Sequence, residues 1–196
     1  MKRFTLAGSQ QHNLTTQQQA VVDSNEPTVL VNAVAGSGKT ATLMHLATKY
    51  KKGIYLAFNK AIVQDVVPKL PLGWQCKTFN AFGLAITKQH YPHAKVDFNK
   101  YSKINSYSPN IPTLVSKHMS MNGNISDSSW KETCDRFKIS HRFIEEAKEA
   151  LNEGQEYTSL ISGDDMLQYP IDNGWKSEEY EIVLIDECQD LNPQQI

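Results

Sequence analysis

Hydrophobic and polar positions along the chain predict strands and helices that alternate. Four runs rich in apolar residues are predicted to be strands: 28–34, 54–58, 74–79 and 180–187. The first, TVLVNAV, is β-branched and apolar on both faces, as a buried parallel strand is. Helical spacing predicts helices at residues 15–23, at 41–50 with a stop at Gly53, around Val63–Val67, and from 80 to about 89. Strands that alternate with helices are typical of a parallel α/β sheet.

The middle of the chain follows a different pattern. From Tyr91-Pro92 to residue 175 it carries scattered Asn, Ser and Pro, and its clearest helix is predicted at 140–154, with Ser140 as N-cap and Gly154 as stop. We therefore predict an α/β domain made of residues 1–90 and 176–196, with residues 91–175 inserted as a helical subdomain.

Composition narrows the class of protein only slightly. The 196 residues are 40% hydrophobic and carry a net charge of −1, so nucleic-acid binding would need a local basic face. The three cysteines are far apart and odd in number, which favours a reducing compartment. No segment has the length or the apolar content of a signal peptide or a membrane span, so we expect a soluble, intracellular protein, cytoplasmic in a bacterium or phage-infected cell and nuclear in a eukaryote.

The stretch AVAGSGKT (33–40) lies between a predicted strand and a predicted helix, as a phosphate-binding loop does. Glycine in such a loop lets backbone N–H groups approach phosphates, and the helix N-terminus attracts negative charge. The general pattern begins with Gly, where this chain has Ala33. We predict that Lys39 reaches the β- and γ-phosphates of ATP and that Thr40 binds Mg²⁺. The remaining nucleotide-binding residues of this loop are Ala35, Gly36, Ser37 and Gly38.

A second motif, the acidic stretch IVLIDECQD, lies at the end of the last predicted strand. Asp186 at the strand end would lie near the Mg²⁺ shell, and Glu187 would orient and polarise an attacking water. An acidic pair after a strand is common, but together with a phosphate loop it predicts nucleotide hydrolysis. A nucleotide kinase with the same loop is disfavoured by the Asp-Glu-x-Gln-Asp pattern.

These motifs resemble those of the UvrD/Rep branch of superfamily 1 DNA helicases, with an Ala-led Walker A loop and the acidic DECQD. LTTQQQAV (14–21), AFNKA (57–61) and KTFNAFG (77–83) agree in order with further motifs of that branch, and the last two are most similar to the F-box DNA helicase group. The resemblance implies a RecA-like ATP-binding domain (1A) and, by position, a 1B subdomain at 91–175. It also implies an ATP-dependent helicase that moves on single-stranded DNA.

The resemblance assigns further residues. It implies that Gln18 reads the adenine and that Gln189 couples the γ-phosphate to the motor. The resemblance also implies that five residues contact single-stranded DNA: Phe58, Asn59, Lys60, Thr78 and Phe79. Phe58 and Phe79 lie at the ends of predicted strands, where an exposed ring stacks on any base. The alternative for these residues is ordinary: a core phenylalanine or a solvated lysine.

A motor of this kind needs a second RecA-like domain and its arginines, and the resemblance implies one more strand between the phosphate-loop strand and the acidic strand. We therefore expect a complementary C-terminal helicase half, in the same polypeptide or a partner chain, and weak or no activity without it. The alternative is a non-motor ATP- or DNA-binding module that regulates a partner.

Overall fold

Residues 14–104, 108–121 and 127–195 are described by the computed structural model. They divide into two units: the first contains the chain up to Thr78 together with Glu179–Cys188, and the second contains Phe79–Glu178 and the residues from Gln189 onward. No helix in these ranges is long and apolar enough to cross a membrane.

The secondary structure mixes helices and short strands. In chain order the elements are α1 (Thr16–Val22), α2 (Lys39–Ala47), β1 (Gly53–Ala57), α3 (Lys60–Val66), β2 (Gln75–Thr78), α4 (Phe79–His90), β3 (Lys95–Val96), α5 (Lys100–Ile104), α6 (Asn110–Met121), α7 (Asp127–Phe137), α8 (Ile144–Glu156), β4 (Leu160–Ile161), α9 (Asp165–Asp172) and β5 (Ile182–Ile185). Short 3₁₀ turns follow α3, precede α8 and follow β5.

The first unit is built on a parallel sheet of three strands in the order β2-β1-β5. Central β1 is buried along its whole length, and its register pairs Tyr55 with Cys76 on one side and with Leu184 on the other. Tyr55 and Leu184 pack on one face with Met44 and Ala47 of α2. This arrangement confirms a mixed α/β fold with a parallel sheet.

The prediction of a strand at residues 28–34 is wrong. These residues lie outside any strand, and Leu30 and Val34 are 80% and 78% exposed. A strand exists only where a neighbouring strand accepts its backbone hydrogen bonds, and no described strand pairs with this segment. Its apolar pattern therefore indicates a segment suited to burial that has no partner among the described residues.

Two glycines predicted to stop helices serve close packing instead. Helix α2 ends at Ala47, and Gly53 lies in β1, where an added Cβ would come within 2.4 Å of the Trp74 ring. Gly154 lies inside α8, where an added Cβ would come within 2.2 Å of the Tyr101 ring. Ser140 precedes a 3₁₀ turn rather than capping α8 directly.

The second unit is mainly helical, and it includes α4, which the sequence pattern assigned to the α/β domain. Its largest core cluster joins α5, α6, α7 and α8 around Leu114, Trp130 and Leu151. A buried ion pair of 2.7 Å joins Lys100 of α5 to Asp165 of α9. The parallel pair β3-β4 completes the unit.

Candidate nucleotide-binding site

The loop at 33–40 has the backbone of a phosphate-binding turn. Gly36 and Gly38 have φ angles of 78° and 84°, in the left-handed region that favours glycine, and an added Cβ at Gly36 would meet nothing within 4 Å. Gly38 is the N-cap of α2, so the first backbone N–H groups of this helix stand at the loop. The loop therefore offers backbone donors and open space, as a bound phosphate requires.

Lys39 and Thr40 begin helix α2 and are both half-buried. The Lys39 Nζ donates to the Ala33 carbonyl at 3.4 Å, which folds this side chain back across the loop. The turn is closed by the Ser37 N–H, which donates to the Val34 carbonyl at 3.3 Å. The ammonium group thus lies over the loop that the sequence assigned to phosphate.

Asp186 directly follows β5 and is only 6% exposed. Its Oδ2 accepts from the Tyr55 hydroxyl at 2.6 Å and from the Thr40 hydroxyl at 3.4 Å, and its Oδ1 accepts from the Glu187 N–H at 3.0 Å. Thr40 and Asp186 are 146 positions apart in the chain, so the fold brings the two predicted metal ligands together.

Tyr55 is a site residue that the sequence did not reveal. Burial, and then the hydrogen bond to Asp186, raise the pKa of its phenol, so the hydroxyl stays a proton donor. Only the register of β1 against β5 shows that this tyrosine reaches the acidic motif. The apolar run around it gave no signal beyond a buried strand.

Glu187 has a φ of 54°, in the left-handed region. A residue with a Cβ adopts this conformation at a cost of about 1–2 kcal/mol. Such strain is concentrated at functional sites, where the surrounding structure holds it. The half-buried Glu187 is therefore turned out of the direction of β5, and exposed Gln189 follows in the 3₁₀ turn Cys188–Asp190.

Gln18 lies beside the phosphate loop. Its Nε2 donates to the Ser37 carbonyl at 2.9 Å, while its Oε1 accepts from the Thr15 N–H at 2.9 Å in the capping box of α1. The helix cap thus fixes the amide at the loop. Ala35 and Ser37 are exposed in the turn.

The residues predicted to contact DNA lie in different environments. The register pair of Ala57 with Thr78 brings the carboxyl ends of β1 and β2 to one edge of the sheet. Phe58 at this edge is 46% exposed, and Lys60 is exposed. The Asn59 Oδ1 caps α3 by accepting from the Ile62 N–H at 3.0 Å. Phe79 is 5% exposed, which favours the alternative of a core residue over a stacking ring.

The donor set suits a magnesium nucleotide. Mg²⁺ prefers oxygen ligands and is usually held by one or two protein oxygens together with substrate phosphates. The hydroxyl of Thr40 and the carboxylate of Asp186 supply such oxygens within 3.4 Å of each other, next to the glycine loop. These residues therefore fit Mg²⁺ with a nucleoside triphosphate.

The curated proteins that this chain resembles include two F-box DNA helicases. The chain is 27% identical over 222 residues to F-box DNA helicase protein 1 of Schizosaccharomyces pombe, covering 92% of this chain and 25% of that protein. It is 34% identical over 96 residues to F-box DNA helicase 1 of Gallus gallus, covering 45% of this chain and 9% of that protein. Both relatives are DNA helicases.

The chain therefore spans a quarter or less of the length of these curated relatives. The likeness nevertheless extends over most of the chain in the first match and so includes residues well outside the two nucleotide motifs. No family model and no solved structure matches the chain.

Proposed function

We propose that this chain is the ATP-binding part of an ATP-dependent superfamily 1 DNA helicase, with a RecA-like first domain that couples ATP hydrolysis to movement on single-stranded DNA. The observation that carries the proposal is the approach of Thr40 to Asp186 beside the glycine loop. Similarity to two F-box DNA helicases supports a helicase rather than another ATP-hydrolysing enzyme.

Each site residue has a role in this proposal. Lys39 neutralises the β- and γ-phosphates, and Thr40 with Asp186 holds Mg²⁺. Glu187 orients the attacking water, and Gln189 senses the γ-phosphate. A Mg²⁺ ion held by Thr40 and Asp186 would supply positive charge against the negative charge that develops on the transferred phosphate.

The carboxyl end of the sheet, where β1 and β2 end side by side, is the proposed contact for single-stranded DNA. The exposed ring of Phe58 offers a face on which a base stacks whatever its identity. Lys60 at the start of α3 adds a positive charge for the phosphate backbone. With the complementary half supplied, we expect Phe58→Ala to lose the stimulation of ATP hydrolysis by single-stranded DNA while nucleotide binding is unchanged.

A complementary helicase half is the proposed protein partner, in the same polypeptide or in another chain. Val183 and Ile185 on β5 are exposed, as are Val29 and Leu30 in the unpaired segment 28–34. An added strand would pair with the open backbone and cover these apolar side chains. The same half would supply an arginine to the transition state, worth about 10³-fold or more in rate.

Steady-state ATP hydrolysis with and without single-stranded DNA tests the proposal. Nucleotide binding is measured in parallel, with Lys39→Ala as the site variant and Lys51→Ala as an exposed lysine control. We expect binding that only Lys39→Ala removes, and any stimulated turnover should disappear in Glu187→Gln. Wild-type chain that binds no nucleotide would contradict the proposal.

The alternative, a non-motor ATP- or DNA-binding module, gives a different result. It predicts nucleotide binding without DNA-stimulated hydrolysis, even after the complementary half is supplied. Turnover that appears only when that half is added favours the motor.

A further inference from the structure

Tyr55 contacts the proposed Mg²⁺ ligand Asp186 from the central strand β1. It lies in the middle of β1 with no exposed surface, and its hydroxyl is 2.6 Å from Asp186 Oδ2. The register pairs Tyr55 with Leu184, so Asp186 is its diagonal neighbour, two residues further along on the same face of the sheet. The long aromatic side chain spans this diagonal.

Three donors from three separate segments hold the Asp186 carboxylate. Oδ1 is held by the adjacent Glu187 N–H, while Oδ2 accepts from both Tyr55 and Thr40. The contact to Thr40 is 3.4 Å, longer than the 2.6 Å contact to Tyr55. An O–H group that donates to a carboxylate at 2.6 Å, as Tyr55 does, forms a strong, charge-assisted hydrogen bond. Tyr55 is therefore the group that best fixes the direction of Oδ2.

We propose that Tyr55 is a positioning residue that aims the Asp186 carboxylate at Mg²⁺, an inference that rests on the proposed function. Thr40 would turn its hydroxyl toward the metal, which leaves Tyr55 as the side-chain donor that holds Oδ2 throughout. Partners that orient a ligating carboxylate in this way typically alter metal affinity by about 10- to 100-fold when removed.

A purely structural role makes a different prediction. A buried tyrosine hydroxyl needs a hydrogen-bond partner, and Asp186 supplies one whether or not a metal binds. In that case the loss of the hydroxyl would lower stability and leave the dependence on Mg²⁺ unchanged. The concentration of Mg²⁺ that half-saturates nucleotide binding therefore separates the two roles.

The experiment measures binding of a fluorescent ATP analogue to the full chain, first in EDTA and then across a Mg²⁺ titration. Tyr55→Phe removes only the hydroxyl, and Tyr50→Phe, half-buried in the same unit, is the matched control. We expect Tyr55→Phe to raise the half-saturating Mg²⁺ concentration by about tenfold or more, without changing affinity in EDTA. Tyr50→Phe should behave as the wild type.

Asp186→Asn provides a second test by removing the proposed ligand. Adding Tyr55→Phe to Asp186→Asn should produce no further change in the Mg²⁺ requirement. An equal effect of Tyr55→Phe with and without Asp186→Asn, or no effect on Mg²⁺ at all, overturns the positioning role alone. Wild-type chain that binds no nucleotide overturns both the proposed function and this inference.

Discussion

At the residue scale, the acidic motif combines a strained backbone with a fixed carboxylate. Glu187 holds a φ of 54°, while the preceding Asp186 is fixed by Tyr55. The strain turns Glu187 away from the strand direction at the point where the proposed chemistry needs a carboxylate near the γ-phosphate. A site of this kind gives up stability for geometry.

Replacing Glu187 by glycine should therefore stabilise the first unit. The relieved strain of about 1–2 kcal/mol exceeds the usual cost of glycine flexibility, about 0.5–1 kcal/mol. We expect a net gain of about 0.5–1 kcal/mol in the free energy of unfolding, measured by chemical denaturation. Glu187→Ala is the control, since it removes the carboxylate but keeps a Cβ, and an equal gain in that variant would show that the backbone is not the cause.

Because His118 is buried, we expect the stability of the second unit to fall at acid pH. His118 stacks on Trp130 at 3.6 Å, and burial lowers its pKa from 6.5 to about 4 against the opposing effect of the Ser129 backbone. As pH falls, the unfolded chain takes up the proton first, so the free energy of unfolding falls from about pH 6.5 to about pH 4. The full effect is at most about 3 kcal/mol.

The measurement is a series of unfolding curves between pH 7.5 and pH 4 for the wild type, His118→Gln and the exposed control His93→Gln. The first variant should lose this part of the acid dependence, and the second should retain it. A wild-type acid limb that His118→Gln leaves intact would assign the effect to other groups.

At the scale of elements, two helices of the second unit meet at a glycine. An added Cβ at Gly83 of α4 would lie 2.2 Å from the Met166 carbonyl oxygen of α9, a backbone atom that cannot move aside alone. The two helices approach this closely because α4 has no side chain at that position. Thr87, one turn later, is fully buried in the same helix.

Gly83→Ala should accordingly destabilise the second unit by about 1–3 kcal/mol, the usual cost of overpacking. Gly163→Ala is the matched control, because its added Cβ would meet only the Phe98 ring at 3.4 Å. Thermal unfolding of both variants distinguishes a local clash from a general intolerance of alanine for glycine. Similar melting temperatures for the two variants would refute the packing argument.

The elements that the sequence could predict are those with a local signal. The apolar runs became β1, β2 and β5, and helical spacing located α1 and α4. The pair β3-β4 has two residues in each strand, too few for a period, and its pairing joins Lys95 to Leu160. The prediction of a strand at 28–34 failed for the opposite reason, since its local pattern is strong but no described strand pairs with it.

The residues of the candidate site also differ in whether a local stretch of sequence identifies them. Lys39, Thr40 and Asp186 were predictable because each belongs to a contiguous motif with its own chemistry. Tyr55 was not, because its contribution depends on strand register, which no short stretch of sequence specifies.

At the scale of the whole molecule, the first unit has exposed apolar side chains and an open sheet edge at β5. Val183 on β5 is 49% exposed, and the apolar side chains of segment 28–34 are exposed as well. Unpaired edges of this kind promote association between chains, and a charged side chain on the edge opposes it.

We expect the chain to self-associate, and Val183→Lys together with Leu30→Lys to reduce that association without weakening nucleotide binding. Leu72→Lys is the control, since Leu72 is fully exposed in a turn and belongs to no strand. Sedimentation velocity over a range of concentrations measures the effect. A monomeric wild-type chain would argue that this surface needs no partner.

The separation of Thr40 and Asp186 along the chain also delays assembly of the site during synthesis. Thr40 leaves the ribosome 146 residues before Asp186. At about 5–20 residues per second, this delay is roughly 7 to 30 seconds. Residues 79–178 are contiguous and form most of the second unit. We therefore expect that unit to fold before Asp186 is available to the phosphate loop. During that interval Thr40 and the phosphate loop are present without Asp186, so the proposed Mg²⁺ ligand pair cannot form until residue 186 has been synthesised.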